Sequence, residues 1–413
     1  MKPCRLILFS LLFGLFACQQ QQQQQQEQQV KPLTDAELRE KANRLAHEFI
    51  IVDTHVDAPD RLRGKMADIS QRTADGDFDY VRAKAGGLDA PFMSIYVPAD
   101  YEAKDGAKKL ADKLIDMVEK FEKDSPDKFA VAKSVADVQT QFAKGLISLP
   151  MGMENGSPIE GKLENLRHFY DRGIRYITLA HSKSNHISDS SYDPNRRWKG
   201  LSPFGKEVVV EMNRLGIMID ISHVSDSTFY QVMRLSQAPV IASHSSCRYF
   251  TPGWERNMDD EMIKALAKNR GVININFGSS FLDDSVRQAE EKMWKYIQAN
   301  NINSNSDAGK AALKKFRIEN KIGYADIADV IAHIDHVVKL VGVDHVGFGS
   351  DFDGVGDSLP AGLKSVADYP NLIYELLKKG YSDEDIQKIC SGNLLRVWSE
   401  VESIASKLQS SND

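Results

Sequence analysis

Eight short apolar runs rich in β-branched residues recur along this chain, and most are separated by stretches with helical spacing. The runs cover residues 49–53, 92–97, 146–151, 176–179, 217–221, 240–242, 272–276 and 345–349. The segments 107–123, 160–172, 204–215, 225–235, 259–268 and 327–341 read as helices between them. Parallel strands need a crossover, and a helix of this length is the common one. Eight such units over this length predict an α/β fold, a closed (β/α)8 barrel of the TIM type. The polar, helix-prone span 281–322 is longer than one connection needs and reads as a helical insertion after strand seven, expected to roof the barrel mouth. Segments 369–379, 382–389 and 393–408 read as C-terminal helices packed outside the barrel. From residue 33 onward there is no Pro/Gly/Ser-rich linker, so 33–413 is read as one catalytic domain.

The chemistry gathers where the strands end. The first run leads into Asp53-Thr54-His55-Val56-Asp57, and the third into Glu154. His181 follows the fourth, His223 the fifth, His244 the sixth, and Asp351-Phe352-Asp353 the eighth. On an extended segment i and i+2 share a side, so His55 and Asp57 can converge on one ion. Imidazole and carboxylate are the ligands of catalytic zinc, and a carboxylate such as Glu154 can bridge two ions. Taken singly, each has a plainer reading. A lone strand-end histidine is more often a hydrogen-bonded core residue, an H-x-D pair recurs by accident, and Asp53 and Asp353 suit loop-capping roles. The weight lies in coincidence: six of eight strand ends carry such a residue, and all lie on the rim where barrels of this kind place their active sites. His47, His168, His333 and His336 fall on helical stretches, His345 starts a strand at the opposite face and His186 sits in a loop, so none of these is a candidate.

The segments 52–57, 152–156, 220–225, 243–246, 349–354 and 392–397 together resemble the ordered motifs of the membrane (renal) dipeptidases, a branch of the amidohydrolase superfamily of metal-dependent hydrolases. The resemblance covers residues 49–402. It implies a zinc-dependent dipeptidase with two Zn2+ ions per chain: His55 and Asp57 on one, His223 and His244 on the other, Glu154 between them. It further implies that His181 contacts substrate near the scissile carbonyl, that Arg256 grips the C-terminal carboxylate, and that Asp351 moves protons and meets the amino group. Substrates with a C-terminal D-residue and a homodimeric state are implied on the same ground. Alternatives on the same scaffold are a binuclear-metal N-acyl amino acid deacylase or lactam hydrolase, and an inactive surface binding protein. The last would be marked by a lost ligand, whereas all five ligand positions are filled. Unlike the animal enzymes, this chain shows no evident cysteine pairs and carries the longer insertion, so disulfides and substrate range are not carried over.

The start of the chain speaks to location. Lys2 and Arg5 precede an apolar run too short to span a bilayer, ending at Ala17-Cys18, which resembles a bacterial lipoprotein signal with Cys18 as the lipidated residue. An ordinary secretory signal is the alternative, and either implies export. Residues 1–17 are thus read as a signal peptide and 18–32, rich in Gln, as a polar tether. The expected destination is a membrane-anchored periplasmic or cell-surface site. A net charge of −6 without a block of Lys/Arg excludes a nucleic-acid partner. Of four cysteines, Cys247 and Cys390 lie in the body and read as free buried thiols rather than a bridge.

Overall fold

The computed structural model describes residues 33–303 and 306–411. Eight parallel strands close on themselves in the order β1, β10, β9, β8, β7, β6, β5, β2. They are β1 (Ile51–Val56), β2 (Leu88–Tyr96), β5 (Met151–Glu154), β6 (Ile174–Thr178), β7 (Met218–Asp220), β8 (Ile241–Ala242), β9 (Val272–Ile275) and β10 (Val346–Phe348). Closure is made by the first and last strands, where Asp53 pairs with Phe348. The expected (β/α)8 barrel is therefore present.

One strand is displaced from its expected position. The run 146–151 is split at Pro150: β4 (Ile147–Leu149) pairs with β3 (Phe129–Val131) in a small parallel sheet outside the barrel, and β5 begins at Met151. Pro150 has no N–H to give a ladder. Its carbonyl instead accepts from the Met93 amide at 2.8 Å, which passes the chain from one sheet to the other. The third barrel strand is thus 151–154, immediately ahead of the loop that Asn155 opens.

The N-terminal end of the barrel is plugged with apolar side chains. Val52, Phe92, Tyr176, Met218, Ile241 and Val272 form a buried cluster with Leu394, Val397, Trp398 and Val401 of the last helix, Asn393–Ser410. Several of these are the first residues of their strands, so that helix packs across the bottom mouth. The insertion after β9 holds helices Ser279–Leu282, Asp284–Ala299 and Asp307–Glu319. Its two longer helices are joined by the buried Arg317–Glu290 ion pair, and Ser358 Oγ, which donates to Glu290 Oε1 at 2.8 Å, ties them to the loop after β10. Cys247 and Cys390 are free and buried. Among the described residues no helix is long and apolar enough to cross a membrane. The signal, Cys18 and the Gln-rich tether lie outside the described residues.

Candidate metal centre and active site

The rim is organised from the backbone outward. Asp53, fully buried, accepts from the Ser350 amide at 2.9 Å, the His55 amide at 3.1 Å and the Tyr369 hydroxyl at 2.5 Å, and also from the Ser350 hydroxyl. It is the loop-ordering residue its simpler reading expected. The Asp351 amide donates to His55 O at 3.1 Å and the Asp57 amide to Phe352 O at 2.8 Å, so the loops after β1 and β10 are mutually fixed. Asn155, His223, Asp351 and Asp353 all have left-handed backbone, with φ of 79°, 68°, 63° and 68°. Such conformations cost on the order of 1–3 kcal/mol each and persist where the surroundings over-determine them. Gly354 is obligatory beside them, because a Cβ there would collide with both Asp351 Oδ1 and Asp57 Oδ2.

Glu154 stands at the centre. Its Oε2 lies 3.6 Å from His55 Nε2, which is in turn 3.5 Å from Asp57 Oδ2. Its Oε1 lies 3.2 Å from His223 Nε2 and 3.4 Å from both His244 Nε2 and His181 Nε2. Three sets of ligand atoms fall within 4.8 Å of one another: His55, Glu154 and His244; Glu154, His181 and His223; and His55, Asp57 and Asp351. His55 Nε2, Asp57 Oδ1, His181 Nδ1 and His223 Nδ1 are buried without a hydrogen-bond partner. Ligands tetrahedral about a cation at about 2.0–2.2 Å would sit roughly 3.3–3.6 Å apart. The observed spacings match, and the orphaned His55 Nε2 and Asp57 Oδ1 give such an ion two of its donors. The His223–His244 pair departs, its Nε2 atoms 2.8 Å apart in a proton-sharing contact that a cation would replace.

Electrostatics point the same way. Burial opposes charge on Glu154, yet His181, His55, His223 and His244 hold it well below the usual carboxylate range. Burial pushes the His181 and His223 pKa values down and that of His244 to about 3. His55 runs opposite: burial lowers it, but Tyr176, Asp57 and Glu154 outweigh that and hold it well above the ordinary value. Burial raises Asp57 and Asp351, with neighbouring carboxylates adding to it. An anionic cluster is keeping a proton where a divalent cation would displace it.

The structure thus brings together His55, Asp57, Glu154, His181, His223, His244 and Asp351, all expected from the sequence. His181 stands as close to Glu154 as His244 does, so it is placed as a further imidazole of the cluster as well as a rim residue. Arg256 is buried beside them, donating from Nη1 to Ser245 Oγ and from Nη2 to His244 O, both at 2.7 Å. Its Nε has no partner, and Phe281 of the insertion covers its guanidinium at 5.0 Å. Trp254 packs on Phe281 at 5.1 Å, so that ring brings the insertion to the site. Sequence reasoning missed the supporting groups. Ser243 Oγ accepts from His244 Nδ1 at 2.7 Å and donates to Asp220 Oδ2 at 2.6 Å. Asn276 Nδ2 donates to Asp351 Oδ2 at 2.8 Å, while the Gly278 amide at 2.7 Å fixes the orientation of its carbonyl. Asp220 and Asn276 sit at strand ends, which was the available signal.

A parallel barrel with imidazoles and carboxylates converging at its C-terminal rim defines a metal-dependent hydrolase of the amidohydrolase type. The family model for membrane dipeptidase (peptidase family M19) matches residues 39–412, and the chain belongs to that family of metallo-dipeptidases. It is 32% identical to mouse (Mus musculus) dipeptidase 3 over 383 residues, 91% of this chain and 69% of that protein. Its fold is similar to the probable dipeptidase PvdM from Pseudomonas aeruginosa, with a TM-score of 0.78 and 26% identity over 89% of this chain and 99% of that one. It is also similar to a metallopeptidase from Rhodobacter sphaeroides bound to a phosphinate mimic of L-Ala-D-Ala, with a TM-score of 0.71 and 26% identity over 86% and 99% of the two chains.

Proposed function

We propose that the chain hydrolyses free dipeptides, including those with a C-terminal D-residue, with two zinc ions held by His55, Asp57, Glu154, His223 and His244. The observation that carries this reading is the division of Glu154: one oxygen faces His55, the other faces His181, His223 and His244. Bound zinc supplies Lewis acidity that acidifies water and polarises the scissile carbonyl.

The remaining work falls to the chain's own side chains. Asp351, oriented by Asn276 and raised by burial, takes the proton of the attacking water and delivers it to the departing amine. His181, kept neutral by burial, donates toward the scissile carbonyl oxygen. Arg256 keeps its buried Nε without a partner and offers that N–H to the substrate's C-terminal carboxylate. A site gripping both termini selects dipeptides over longer chains. The dipeptide mimic bound by the Rhodobacter sphaeroides relative supports this choice of substrate.

A release assay tests the reading, using Gly-L-Ala, Gly-D-Ala, an N-acetylated dipeptide and a tripeptide, with chelator and with added zinc. Turnover of the free dipeptides alone, lost with chelator and restored by zinc, is expected. Turnover of only the acetylated compound would assign a deacylase instead. We further propose export and anchoring through lipid on Cys18, tested by fatty-acid labelling that Cys18→Ala should abolish.

A further inference from the structure

His55 belongs to two of the three sets of possible ligand atoms, and its ring is held in an unusual way. Its Nδ1 lies 2.8 Å from the hydroxyl of Tyr176, a residue of β6 on the far side of the barrel interior. That hydroxyl donates its own proton to Thr54 O at 3.0 Å. With its proton committed, the phenol oxygen can only accept, so His55 must carry hydrogen on Nδ1 and present a lone pair at Nε2. Nε2 is the atom with no hydrogen-bond partner, aimed between Asp57 and Glu154. The ring plane is set from its other side by stacking on His244, centroids 3.8 Å apart.

The barrel makes room for this tyrosine at a particular place. Tyr176 is fully buried, packing on Phe92 at 5.4 Å within the interior plug. A Cβ on Gly152 of β5 would collide with the Tyr176 ring carbons, so the absence of a side chain there lets the hydroxyl reach His55. Filling the core needs only a ring; a hydroxyl at that depth costs free energy unless it is hydrogen-bonded. Here both its partners belong to the strand that carries the ligand.

We propose that Tyr176 is a positioning residue for the metal centre, setting the tautomer and aim of His55, with Gly152 as the gap that admits it. This rests on the proposed metal-binding role of His55. Outer partners of a metal-binding histidine typically account for about 10–100-fold in metal affinity.

The test is zinc affinity of the full-length protein, stripped with chelator and titrated against a chromophoric competitor. Tyr176→Phe keeps the ring and removes the acceptor. It should bind zinc about 10–100-fold more weakly, while the metal-free protein melts close to the wild type. Gly152→Ala should weaken zinc in the same direction by pushing the hydroxyl away, and adding it to Tyr176→Phe should produce little further loss. Selective 15N-histidine NMR of the unmodified, zinc-loaded protein reads the tautomer without any substitution, and should show His55 protonated at Nδ1. Unchanged zinc affinity in Tyr176→Phe, or His55 bound through Nδ1, overturns the assignment of Tyr176 alone. Failure of the wild type itself to retain zinc overturns the metal reading and this inference with it.

Discussion

The two ends of the barrel are built by opposite rules. At the bottom, Trp398 and its neighbours fill the mouth with apolar side chains, and Asn393 and Arg396 spend their polar groups on backbone. Asn393 Nδ2 donates to Val343 O and Val346 O at 2.7 and 2.8 Å, and Arg396 Nη1 takes the carbonyl of left-handed Arg270 at 2.8 Å. At the rim, four residues with left-handed backbone surround a set of buried polar atoms left without partners. Strain and unmet polarity are concentrated at the rim, with left-handed Arg270 and the unpartnered Trp398 Nε1 as counterexamples at the other end, which holds the fold together. If that division is right, rim substitutions should remove function and leave stability, and bottom substitutions should do the reverse.

The largest effect is expected at Glu154. Glu154→Gln should lower kcat by about 10³-fold or more, the scale of losing a central electrostatic group, in a protein that still unfolds cooperatively. Steady-state kinetics and a melt on the same sample check both halves. Trp398→Ala is the mirror experiment. It should destabilise by about 3–5 kcal/mol in urea, with KM and metal affinity of the folded protein unchanged.

Asp89 sharpens the contrast through pH. It lies near the start of β2, accepts from the Ile51 amide at 3.0 Å, and burial raises its pKa from 3.8 to about 7. A carboxyl whose folded pKa is raised binds its proton more tightly in the folded state. Its unfavourable contribution is therefore absent below the unfolded pKa, grows as pH climbs from about 4 to about 7, and is constant above that. Asp89→Asn should be more stable than the wild type at pH 8 by on the order of 3 kcal/mol, with the gap closing toward pH 4. Denaturation at several pH values measures it, and kcat at pH 8 should not change. The smallest effect is at Arg256. Arg256→Ala should raise KM for dipeptides roughly 10–100-fold, the worth of a hydrogen bond to a charged group, with kcat less affected. An unchanged KM would remove it from the substrate site.

How much of this was legible in advance follows the same division. Candidate site residues on strand ends show in the sequence because the barrel repeats strand and helix, so His55, Glu154, His223, His244 and Asp351 announce their rim position by what precedes them. The third strand was misplaced because Pro150 separates two sheets that share one apolar run. β3, only Phe129–Val131, is too short for its alternation to register. The supports Tyr176 and Ser243 were unreadable for a different reason. Each looks like an ordinary residue of its segment until its partner comes within reach in the folded barrel.

That closure has a consequence for how the enzyme comes into being. The Asp351 amide meets His55 O, and the Ser350 amide meets Asp53 across 297 residues of chain. Contacts so distant in sequence form late and slowly, since long loops must close first. During synthesis, a chain that already contains His55, Asp57, Glu154, His223 and His244 still lacks the strand that orders the first two. The rim is therefore incomplete until nearly all of this sequence has emerged, and a fragment ending before β10 carries every expected metal ligand but lacks Asp351 and the loop that fixes His55 and Asp57.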